Sequence, residues 1–105
     1  MESLVYEYQG GLPIESSRGP VIAGVVGSGN LEILVEAEGP EGHCTIVVVT
    51  AATGFGTIWQ AVMNDFVARH KPGGVRLSIN DVGATPAVVS LRLEQAWDEF
   101  KGGSA

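Results

Sequence analysis

The sequence predicts an α+β fold: a two-layer domain with a mixed, mostly antiparallel sheet of about four to five strands and two helices packed on one face. Three observations predict it. Short β-branched runs fill the first half of the chain, bounded by turn residues. Two longer segments in the second half place apolar side chains three and four residues apart, on one side only. Clusters of glycine and proline separate the segments. At 105 residues the chain has room for one core, so residues 1–105 are read as one domain.

Residues 4–8 read as a short strand, and residues 10–20 carry loop chemistry, with three Gly, two Pro and two Ser. Residues 21–26 form a β-branched apolar run that predicts a strand. Gly27-Ser28-Gly29-Asn30 follows, a hairpin connection because glycine takes positive φ without strain. Residues 31–37 give a second strand of that hairpin, with Leu31, Ile33 and Val35 on one face and Glu32 and Glu36 on the other. Gly39-Pro40-Glu41-Gly42 is a further turn into a strand at residues 43–50. The unbroken Ile46-Val47-Val48-Val49 centre predicts burial on both faces, and the three strands are expected to form an antiparallel meander.

A loop at residues 51–56 leads to the first helix. Thr57 with Gln60 matches a capping box, and Ile58, Trp59, Val62, Met63, Phe66 and Val67 form the apolar stripe. Pro72-Gly73-Gly74 stops this helix. Alternation over residues 75–80 marks another strand. Thr85-Pro86 opens the second helix with a capping hydroxyl and a proline whose missing N–H would have no partner there. Val89, Leu93, Ala96, Trp97 and Phe100 face the core, and Gly102-Gly103 ends the helix. The order is β-β-β-β-α-β-α. Strand order is not encoded in these patterns.

Twelve acidic residues against six basic ones give a formal charge of −6. The basic residues are scattered and form no face, which argues against nucleic acid and anionic membranes as partners. No apolar segment approaches the ~18 residues of a membrane span, and no signal-peptide pattern opens the chain, so a cytoplasmic location is expected. Cys44 has no second cysteine to pair with and reads as a small core-facing strand residue.

Ser28 is the residue with the most open reading. A phosphate-binding loop there would need a lysine and a helix after the glycines, and neither follows. A hydrolase nucleophile would need glycines at the outer positions, where Val26 and Asn30 stand, and a base in contact. His70 sits at a helix end, where its charge would meet the dipole, and His43 at a turn. No metal-ligand spacing occurs, and no catalytic residue is assigned. Asn80-Asp81-Val82-Gly83-Ala84-Thr85-Pro86 is accounted for by turn and capping chemistry, with a docking surface as the other reading. Locally, Ser28 remains either a hairpin tip or a serine presented to a modifying enzyme.

Three blocks, in order, carry a resemblance: residues 24–34 around Gly27-Ser28-Gly29, then Gly54-Phe55-Gly56-Thr57-Ile58-Trp59-Gln60-Ala61-Val62, then residues 79–86 running into 89–96. Together they resemble the malonate decarboxylase acyl carrier (delta subunit) family over residues 4–100, and more distantly the citrate lyase gamma chains. Glu15-Ser16-Ser17, superficially like the citrate lyase attachment site, has no strand entering it and no glycine-rich turn after it. The resemblance implies that Ser28, flanked by Gly27 and Gly29, carries 2'-(5''-phosphoribosyl)-3'-dephospho-CoA through a phosphodiester. The family often has Asp where this chain has Asn30. It implies a non-catalytic carrier of acetyl and malonyl thioesters. It also implies four kinds of partner: an acyl-carrier transferase subunit, decarboxylase subunits, a malonyl transferase and a prosthetic-group transferase. The alternatives are a citrate lyase carrier with the same attachment, an unmodified protein-interaction module, and a small serine hydrolase.

Overall fold

Alternating burial organises the three central strands of this protein. The computed structural model describes residues 1–12, 21–23 and 31–101. Its elements run β1 (Glu2–Tyr8), β2 (Val21–Ala23), β3 (Leu31–Glu36), β4 (Cys44–Thr50), α1 (Gly56–His70), β5 (Val75–Asp81) and α2 (Pro86–Phe100). In β3, β4 and β5 each second side chain is buried: Leu31, Ile33 and Val35; Cys44, Ile46, Val48 and Thr50; Val75, Leu77, Ile79 and Asp81. Both helices supply the opposing layer. Trp59, Met63 and Phe66 of α1 and Val89, Leu93, Ala96, Trp97 and Phe100 of α2 complete one core. This is the expected two-layer α+β architecture.

The sheet has five strands in the order β1-β4-β5-β3-β2. β4 and β5 are parallel, with Cys44 opposite Val75 and Thr50 opposite Asp81. The other three pairs are antiparallel. β2 and β3 pair antiparallel as expected, Val21 opposite Val35 and Ala23 opposite Ile33, while the rest of the expected strand, residues 24–26, and the turn at residues 27–30 lie outside the described residues.

The meander does not form. β5 lies between β3 and β4, so those two strands never pair. The reason lies in the crossover. Parallel neighbours need a connection of about a dozen residues or more, and α1, with 15, returns the chain to the start of the sheet beside β4. There the His43 carbonyl accepts from the N–H groups of Gly74 and Val75, which fixes β5 alongside β4. The connection from β3 to β4 then passes β5 through turns in which Gly39 (φ +103°) and Gly42 (φ +79°) adopt angles that favour glycine.

β4 is not buried on both faces. Val47 and Val49 are half-buried on the side that carries no helix, while Ile46 and Val48 are sealed. The first helix also departs from expectation at its start. It begins at Gly56 with Phe55 as N-cap and no side-chain cap, so Thr57 and Gln60 form no capping box. Tyr6 anchors that end instead, its hydroxyl donating to the Gly56 carbonyl at 3.0 Å. The helix ends at Lys71, in the left-handed region at φ +45°. The second helix starts as expected: Thr85 Oγ1 accepts from the Val88 N–H at 3.3 Å, and Pro86 takes the first position. The terminal Gly102-Gly103 lies outside the described residues.

Candidate functional site

One end of the sheet gathers the features of a site. Thr50, Asp81 and Leu31 lie side by side there, at the C-terminal ends of β4 and β5 and the start of β3. Both helices begin at this end. In open sheets the carboxyl ends of parallel strands are where ligands bind, because the loops diverge there and leave a crevice. Gly27, Ser28 and Gly29 lie outside the described residues. Ser28 precedes Leu31 by three residues, so covalent geometry holds it within about 11 Å of that end.

Asp81 is the joint of this end. It is 4 % exposed and closes β5. Its Oδ2 accepts the Thr50 hydroxyl at 2.8 Å, and its Oδ1 accepts the Ala84 N–H at 2.7 Å. Thr50, fully buried, uses the same hydroxyl oxygen to accept the Ala52 N–H. One carboxyl group therefore fixes the loop after β4 and the turn before α2 at once. Gly83 completes the turn at φ +109°. The turn and capping roles assigned to Asp81, Gly83 and Thr85 from sequence are all present.

Between the two helix starts lies a cavity of about 350 Å³. Phe55, Ile58, Trp59 and Val62 form its wall on the α1 side. Gly83, Ala84, Pro86 and Val89 form the α2 side, with Ala52 and Asp81 between them. Among the described residues no lysine, arginine or histidine lines it. Phe55, Ile58 and Val82 are large apolar side chains left exposed at this end. Sequence patterns missed this cavity. They placed Ile58 on the buried stripe, whereas it is 45 % exposed at the rim, and they gave Trp59 a packing role only. The available signal was Phe55, an aromatic residue between two glycines and off the helical stripe.

Neither histidine is at this end. His43 adjoins the start of β4, and His70 ends α1 against Glu94, with Nε2 and Oε2 2.6 Å apart. That end is about 20 Å away along strands of seven residues, beyond the chain length that separates Ser28 from Leu31. Cys44 is at the far end as well. Burial pushes its thiol up to about 12, which keeps it protonated and shielded. Among the described residues no three His, Cys, Asp or Glu side chains group as metal ligands, and no helix is long and apolar enough to cross a membrane.

Comparison with known proteins gives one answer. The family model described as malonate decarboxylase delta subunit (MdcD) matches residues 18–100. The malonate decarboxylase acyl carrier protein of Xanthomonas axonopodis pv. citri is 56 % identical over 105 residues, all of both chains. That of Stenotrophomonas maltophilia is 52 % identical over 98 % of this chain and 97 % of its own. A chain in the crystal structure of a Pseudomonas malonate decarboxylase hetero-tetramer in complex with malonate superposes with a TM-score of 0.80. It is 40 % identical, and the match covers 94 % of this chain and 98 % of that one. The chain belongs to the malonate decarboxylase delta subunit family.

Proposed function

We propose that this protein is the acyl carrier subunit of a malonate decarboxylase and that Ser28 bears its prosthetic group, 2'-(5''-phosphoribosyl)-3'-dephospho-CoA. The observation that carries the reading is similarity along the whole chain, 56 % identity over all 105 residues, to a protein of that name. When attached, the group supplies a terminal thiol that holds acetyl or malonyl as a thioester. The residues fit such a group. The apolar cavity beside the attachment end suits the uncharged end of the arm, and the described lining residues offer no basic side chain to the anionic nucleotide portion.

The chain's own contribution is placement. Strand pairing and the Asp81 joint hold the start of β3, three residues after Ser28, on a rigid base. Tethering raises the effective concentration of the acyl group at each partner's site. The separation of both histidines from that end supports a carrier over a serine hydrolase. Transferase and decarboxylase subunits of one cytoplasmic complex are the partners in this reading. The hetero-tetrameric assembly of the Pseudomonas relative favours it.

Intact mass spectrometry of the protein made in cells that also make the modifying enzymes tests the attachment. An adduct larger than phosphopantetheine is expected, and it is absent from Ser28→Ala. An unmodified chain from such cells would favour the interaction-module alternative instead.

A further inference from the structure

The geometry points to the cavity between the starts of α1 and α2 as a resting site for the acetyl form of the arm, which it admits while turning away the malonyl form. The inference rests on Ser28 carrying the arm. A volume of about 350 Å³ falls at the small end of ligand clefts, which run from roughly 300 to 1,000 Å³. It suits the acyl thioester and the adjoining cysteamine segment rather than a nucleotide. Its position matches the tether: Asp81, in its wall, is the cross-strand partner of Leu31, three residues after Ser28.

The lining decides between the two acyl groups. Acetyl ends in a methyl, which gains from burial against Trp59, Val62 and Val89. Malonyl ends in a carboxylate, whose desolvation is costly unless a cation or hydrogen-bond donors replace water. Among the described residues no cationic side chain lines the cavity. The wall's carboxyl, Asp81, has both oxygens engaged by Thr50 and Ala84 and presents acceptors only. Acetyl is thereby withdrawn from water between turnovers, and malonyl stays outside, available to a partner enzyme.

The test uses the full-length unmodified chain and two soluble mimics, S-acetyl- and S-malonyl-N-acetylcysteamine, titrated while the NMR signals of the Trp59 indole and the Val62 and Val89 methyls are followed. Saturable shifts at these three residues are expected with the acetyl compound. Binding of the malonyl compound should be about tenfold weaker or more. Ala84→Leu, which fills the cavity, and Ile58→Trp, which blocks its exposed rim, should each remove the acetyl response while leaving the rest of the spectrum unchanged. Equal affinity for both compounds, no saturation at these residues, or an unaltered response in both variants overturns the proposal. So do shifts at these residues on simple dilution without ligand, which would mean that a second copy occupies the cavity. Saturable acetyl binding in a protein that acquires no adduct on Ser28 would overturn the tether along with the attachment. An adduct on Ser28 without acetyl binding would overturn the cavity's role alone.

Discussion

Asp81 joins the end of β4 to the turn before α2 through a single carboxyl group. Its two oxygens satisfy a hydroxyl that has no access to water and a backbone N–H in the turn to α2. Asp81→Ala strands both donors, of which the Thr50 hydroxyl is fully buried, and an unmet buried donor costs about 1–3 kcal/mol. Urea unfolding should show a loss in that range, with Asp81→Asn intermediate because its amide oxygen keeps one acceptor. An Asp81→Ala chain as stable as the parent would show that the carboxyl does not hold this end. The residue's turn role was legible from Asp81-Val82-Gly83. Its partner Thr50 was not, because 31 positions separate the two in the chain and only strand pairing joins them.

The two helices differ at their starts, and the difference can be measured. In α2 the Thr85 hydroxyl takes a free N–H of the first turn. In α1 no side chain does so, although Thr57 and Gln60 have the spacing for it. The helix there begins one residue early, at Gly56, drawn in by the Tyr6 hydroxyl on its first carbonyl. Thr57, already inside the first turn, cannot cap. Thr85→Ala should therefore cost about 1 kcal/mol, and Thr57→Ala less than about 0.5 kcal/mol, in parallel chemical denaturation. Equal costs would contradict the assigned caps. The apolar faces themselves were legible. All five positions assigned to the buried face of α2 are buried, and Trp59, Met63 and Phe66 are the fully buried members of the α1 stripe.

Across the whole molecule, the end opposite the site is closed by a crossing of two backbones. Leu12 and Pro72 form a parallel bridge, the Leu12 N–H donates to the Lys71 carbonyl, and the Gly11 N–H donates to the Gly42 carbonyl. The chains approach closely because Gly11 and Gly73 have no side chains. A Cβ on Gly73 would stand 2.6 Å from the Leu12 carbonyl oxygen, and one on Gly11 would fall on the Pro72 carbonyl. Gly73→Ala should destabilise by about 1–3 kcal/mol or more, since backbone on both sides must shift. Each kcal/mol lowers Tm by about 4–8 °C in a domain of this size. An unchanged melting temperature would mean that the crossing opens without cost. Pro72-Gly73-Gly74 reads as a helix stop from sequence, and it is one. That the same glycine admits a second strand of chain is a property of the assembled fold.

The sequence by itself determined the two-layer class, the segments that become strands and helices, the apolar faces of β3, β5 and α2, and the family. All of these follow from local periodicity, turn chemistry and motif order, which act over neighbouring residues. Only the tertiary structure decided that β5 enters between β3 and β4, that Thr50 meets Asp81, and that the starts of α1 and α2 leave an apolar cavity at the C-terminal ends of β4 and β5. Those outcomes depend on which buried faces meet when one core closes, a competition among distant segments that no short stretch of chain encodes.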